Sequence, residues 1–69
     1  MASRGNKYRT VTFDYRADGV IVLLDGMHIG ECWLTPRGAC YDHNQKRIRL
    51  GADELAVIVN EMRKMEGGL

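Results

Sequence analysis

Residues 13–29 read Phe13-Asp14-Tyr15-Arg16-Ala17-Asp18-Gly19-Val20-Ile21-Val22-Leu23-Leu24-Asp25-Gly26-Met27-His28-Ile29. Two Asp-Gly dipeptides, Asp18-Gly19 and Asp25-Gly26, punctuate a stretch rich in β-branched and aromatic residues. Asp-Gly tolerates the positive φ angles of a tight type I′ turn, so each dipeptide predicts a hairpin between antiparallel strands. Upstream, Val11, Phe13 and Tyr15 alternate with Thr10, Thr12 and Asp14, the period of a half-buried strand. The first turn then sets Ala17 opposite Val20, Tyr15 opposite Val22 and Phe13 opposite Leu24. The second sets Leu24 opposite Met27 and Val22 opposite Ile29. Both turns gather the large apolar residues on one face: Val11, Phe13, Tyr15, Val20, Val22, Leu24, Met27, Ile29 and Trp33. A one-residue slip would scatter them, and this agreement between turn chemistry and hydrophobic pattern points to a meander.

Working outward, Met27 to Thr35 reads as the third strand. Thr35-Pro36-Arg37-Gly38 fits a type I turn: proline pre-sets φ and glycine takes the left-handed position. Ala39 to Asp42 is a fourth strand, His43-Asn44-Gln45 a turn, and Lys46 to Leu50 a fifth strand. After Leu50 the period changes. Leu55, Ile58, Val59, Met62 and Met65 form one apolar helical stripe. Gly51 serves as N-cap, Asp53 and Glu54 lie in the first turn and Arg63 and Lys64 in the last, as the helix dipole favours. Gly67 marks the stop, so a helix is predicted over 52–65. The expected fold is α+β: an antiparallel β-meander of four to five strands with one C-terminal helix packed on one face. The domain spans 8–66, between a flexible tail over 1–7 and a frayed end over 67–69.

The chain has 69 residues, 45% hydrophobic and 28% charged, with a net charge of +1. That is one small domain with a thin core, and the balance excludes a low-complexity disordered chain, an acidic tail and a strongly basic coat. The longest apolar run, Val20 to Leu24, falls far short of the about 20 residues that span a bilayer. The N-terminus lacks the apolar stretch of a secretory signal, so a cytoplasmic location is expected, with Cys32 and Cys40 as reduced thiols.

His28, Cys32, Cys40 and His43 are zinc-type ligands spaced His-x3-Cys-x7-Cys-x2-His. His28 and Cys32 lie four apart on one strand, however, so roughly 13 Å separates their Cα atoms. One ion does not take both, and no metal site is expected. Cys32 and Cys40 would be diagonal neighbours across the Pro36 turn, at the far edge of disulfide reach. A Cys40 nucleophile would need His43 within hydrogen-bond reach and a third group to orient it, which nothing enforces. No phosphate loop, paired-carboxylate motif or nucleotide fingerprint is present. The expectation is a non-enzyme with no catalytic residue and no cofactor.

The face turned away from the helix carries more signal. In the predicted register Ile21, Leu23, Cys32, Leu34 and Cys40 make an apolar strip there, rimmed by Arg16, His28, Arg47 and Arg49. Contiguous apolar patches rimmed by charge mark interfaces. The expected function is a non-enzymatic protein-binding module, an inhibitor, adaptor or regulator of a larger partner. Its contact residues would be Arg16, Ile21, Leu23, His28, Leu34, Arg47 and Arg49. A second copy of the chain is a further expected partner, because small domains often complete their core by dimerising. In size and architecture the chain resembles small proteins of phages and other mobile elements that block host machinery.

The alternative is a nucleic-acid binder using Arg16, Lys46, Arg47 and Arg49 on a phosphate backbone. The segment Lys46-Arg47-Ile48-Arg49-Leu50-Gly51-Ala52-Asp53-Glu54-Leu55 resembles the last strand and helix start of the PC4-like single-stranded-DNA-binding proteins, which also place strands before one C-terminal helix. That resemblance implies a strand over 46–50 and no functional residue. Against this alternative stand Asp14 and Asp42 on the same face, and the rings of Phe13, Tyr15, Trp33 and Tyr41, predicted to point toward the helix and so unable to stack on bases.

Overall fold

The computed structural model describes residues 9–68. It contains four strands, β1 (Val11–Arg16), β2 (Gly19–Leu24), β3 (Met27–Thr35) and β4 (Gly38–His43), followed by one helix, α1 (Ala52–Gly67). The strands pair in sequence order as an antiparallel meander, and the helix packs on one face. The fold is α+β. The tail expected over 1–7 lies outside the described residues, as does residue 69 of the end expected to fray over 67–69; the helix runs two residues past the expected 65, to Gly67.

Asp25 and Gly26 both take positive φ, 51° and 84°, as a type I′ turn demands. Gly38, at φ 126°, is the left-handed residue after Pro36. The first turn differs. It is formed by Ala17 and Asp18, and Arg16 pairs with Gly19. A Cβ on Gly19 would sit 2.8 Å from the Cys32 carbonyl oxygen, so this glycine is spent on a close approach to β3 and belongs to the strand. The pairing therefore moves by two residues, with Tyr15 opposite Val20 and Phe13 opposite Val22. A shift of two keeps every side chain on its predicted face.

A larger difference arises in β3. Leu23 pairs with His28, but Val22 pairs with Gly30, so Ile29 is an extra residue, a β-bulge. Beyond it the strand presents the opposite alternation. Cys32 turns inward beside Val20, and Glu31 and Trp33 turn out. Gly30 makes this possible: a Cβ there would collide with the Tyr41 ring and the Asp42 carbonyl.

The core comprises Val20, Val22, Leu24, Ile29, Cys32 and Ile58, flanked by half-buried Val11, Phe13, Tyr41, Ile48, Leu50, Met62 and Met65. Each fully buried aliphatic side chain contributes about 1.5–3 kcal/mol. Tyr15, Met27 and Trp33, expected in the core, are exposed.

The helix reaches from the β1 edge of the sheet to the β4 edge. At its start Glu54 accepts from the Gly51 N–H and from Arg9, two residues before β1. At its end the Glu66 carboxylate accepts the Ala39 N–H of β4 at 2.8 Å. Its inward side presents Ile58, Glu61, Met62 and Met65, while Leu55 and Val59, expected in the buried stripe, are 45% and 41% exposed.

The expected fifth strand over 46–50 is absent. Residues 44–51 form a connection held by Asn44 N–H to the Ile29 carbonyl and by Arg9 to the Arg49 carbonyl. Ile48 and Leu50 still pack against the core, so the alternation has a physical basis, but no neighbouring strand takes their backbone. The strand half of the resemblance to the PC4-like proteins is therefore missing.

Candidate protein-binding face

Strand alternation fixes which side chains point away from the helix. From β2 come Ile21 and Leu23, from β3 His28, Glu31 and Trp33, and from β4 Cys40 and Asp42. β1 adds Thr12, Asp14 and Arg16. Trp33 is 37% exposed, while Ile21 and Leu23 are half-buried by their neighbours alone. Arg16, Asp18, Gly19, Ile21, Glu31 and Trp33 line an open groove of about 310 Å³.

The charges on this face are arranged in local pairs. Arg16 donates to one Asp14 carboxylate oxygen from Nη2 at 2.7 Å and from Nε at 3.0 Å. This hydrogen bond holds the Asp14 carboxyl below its ordinary value. The His28 ring lies 3.6 Å from the Glu31 carboxylate. Arg16 stands against Asp14, Glu31 and Asp42, so carboxylates outnumber arginine and lysine among the described residues of this face.

The residues expected at the interface are only partly brought together. Arg16, Ile21, Leu23 and His28 share the open face. Leu34 does not: the bulge places it with Cys32 on the helix side, paired with Ala39. Arg47 and Arg49 lie in the 44–51 connection. Lys46 and Arg49 line a shallow groove of about 420 Å³ with Tyr41, His43, Leu50 and Leu55, all on or near the helix side. The alternative set of Arg16, Lys46, Arg47 and Arg49 is thus split between separate surfaces. Alternation alone predicts Trp33 in the core; in the structure it is the largest side chain on the open face. Gly30 carried the signal for this, since a strand glycine often marks a bulge.

The register also separates the four metal-type residues. His28 and Cys40 point out, Cys32 and His43 point toward the helix, and among the described residues no three such groups converge. Cys32 and Cys40 are free thiols on opposite faces. Burial, followed by the nearby Glu61 carboxylate, pushes the Cys32 thiol up to about 11. His43 bridges structure: Nε2 donates to the Ile48 carbonyl at 2.8 Å, and Nδ1 accepts the Tyr41 hydroxyl at 2.7 Å. A carbonyl only accepts, so this pair of bonds selects the Nε2–H tautomer.

No family model, curated protein or solved structure matches the chain. No helix among the described residues is long and apolar enough to cross a membrane.

Proposed function

We propose that the chain is a non-enzymatic protein-binding module whose open sheet face occupies a basic, partly apolar surface of a larger partner, as inhibitor, adaptor or regulator. The observation that carries this reading is exposed Trp33 lining one open groove with Ile21, with Leu23 farther along the same face of β2, on a face that no other described element covers. Tryptophan dominates binding hot spots because one ring desolvates a large area at little entropic cost. Asp14, Glu31 and Asp42 around it favour a positively charged partner and oppose a phosphate backbone. A reducing cytoplasmic setting suits the two free thiols.

The test is retention of a partner from lysate by the tagged full chain, with and without nuclease, comparing wild type with Trp33→Ala and Leu23→Asp. A protein is expected to be retained stoichiometrically despite nuclease, and each variant is expected to lose it while keeping the wild-type circular dichroism spectrum. Retention that survives both substitutions, or that vanishes with nuclease, overturns the reading.

A further inference from the structure

We propose that the free edge of β1 pairs antiparallel with β1 of a second copy, with Phe13 opposite Phe13 of that copy. The inference is independent of the open-face reading and rests on the backbone ladder. Arg16 pairs with Gly19 across the two-residue turn, and the Asp25 N–H bonds the Thr10 carbonyl at 2.8 Å. Backbone groups of Thr10, Thr12, Asp14 and Arg16 therefore face β2. Those of Val11, Phe13 and Tyr15 face outward, because antiparallel ladders alternate. No described residue takes them.

The opposite edge is guarded. There the outward Ala39 N–H is taken by the Glu66 carboxylate. Sheets that stay monomeric blunt their edges with charges, bulges or covering elements. Among the described residues β1 has no bulge and no covering element, and its charges, Asp14 and Arg16, are paired with each other. Its rim on the helix side exposes two large apolar side chains. Tyr15 is 64% exposed, and Val57 of the helix is 42% exposed. Glu54, Val57 and Glu61 share one flank of the helix at spacings of three and four, and the two carboxylates sit beside Arg9 and Tyr15. Val57 thus extends the apolar rim of the β1 edge.

A second copy is the occupant this edge fits. With Phe13 opposite Phe13, Val11 falls opposite Tyr15, and every outward N–H and C=O of one copy meets one of the other. On the open side Thr12 meets Asp14. The charges Asp14 and Arg16 are already paired within each copy, so no like charges face each other across the seam. Moving the register by two toward the turn sets Asp14 against Asp14, which is repulsive. Moving it the other way sets Tyr15 against Arg9, which lies outside the strand and is held by the Arg49 carbonyl and Glu54. The dimer would join two four-stranded sheets into one and make their open faces continuous.

Sedimentation of the full chain over a range of concentrations tests this. Wild type is expected at twice the 7.8 kDa chain mass. Tyr15→Pro removes an N–H that is unbonded in the single copy, so it is expected to abolish the dimer and keep the fold. Thr12→Asp places carboxylates opposite Asp14 at two symmetric positions and is expected to weaken the dimer about tenfold. Adding Asp14→Thr is expected to restore it. A wild-type chain that stays at single mass throughout, or a dimer indifferent to Tyr15→Pro and Thr12→Asp, overturns the proposal.

Discussion

On the covered half of the molecule Val20, Val22, Leu24, Ile29 and Cys32 are at most 6% exposed, beneath a helix that also reaches round to bond the β4 edge. On the half that no described residue covers lie Ile21 and Leu23, chain neighbours of Val20, Val22 and Leu24 in the same strand, together with exposed Trp33 and the open β1 edge. The side chains are of the same kind. What differs is whether a second layer exists to desolvate them, because a strand sends alternate residues to opposite faces and one helix covers one face. Apolar area on the covered half is spent on stability. On the uncovered half it remains free for contact.

The largest effect should come from testing that division directly. Ile58→Ala empties the centre of the covered half and is expected to cost about 2–5 kcal/mol by denaturant unfolding. Ile21→Ala removes a similar side chain from a half-buried site and is expected to cost less than about 1.5 kcal/mol. Equal losses would mean that the open face is packed as a core, and the comparison would fail.

The two thiols sharpen the same division. Cys32 lies in the covered half and Cys40 on the open face, so a thiol reagent should modify Cys40 first in the native protein. The buried thiol also sets a pH dependence. Between its ordinary value of 9.0 and about 11, Cys32 ionises in the unfolded chain but keeps its proton in the folded one. The native state then binds more protons, so stability is complete below that window and falls as pH rises through it. Tyr41, also raised by burial, adds a loss in the same direction. Cys32→Ala should therefore flatten the decline without removing it, measured as unfolding free energy against pH.

How much of this division could be read from residue order depends on what fixed each element. Asp25-Gly26 and Gly38 were legible because positive φ is a local requirement. The two-residue displacement at Ala17-Asp18 was harmless because side-chain alternation has period two. The bulge at Ile29 was not legible from alternation. It accompanies a close approach of Gly30 to Tyr41 on the next strand, which alternation within one strand does not encode, and it exchanges Cys32 for Trp33 on the open face. Four of the expected interface residues, Arg16, Ile21, Leu23 and His28, precede the bulge and share that face. Leu34 follows it and does not. The alternation of Lys46 to Leu50 was read as a strand because Ile48 and Leu50 do face the core, but alternation alone cannot supply a pairing partner. Glu61 was missed because a carboxylate carries no core signal, yet its place between Ile58 and Met65 on the inward side buries it.

The smallest effect concerns where the covered half ends. Glu66→Ala leaves the Ala39 N–H to water, and that exposed hydrogen bond is worth about 0.5–1.5 kcal/mol. The stability change should be slight, and Glu66→Gln, which keeps an acceptor oxygen, should show less. Assembly should respond more than stability. If β1 edges pair while Glu66 guards β4, association stops at two chains. With Glu66 removed, each dimer carries an unguarded β4 edge at both ends, and edge-to-edge addition no longer closes. Sedimentation velocity should then show species heavier than the dimer for Glu66→Ala and not for Glu66→Gln. An unchanged distribution would locate the protection of β4 in the helix body or the 44–51 connection, and would extend the covered half beyond that one carboxylate.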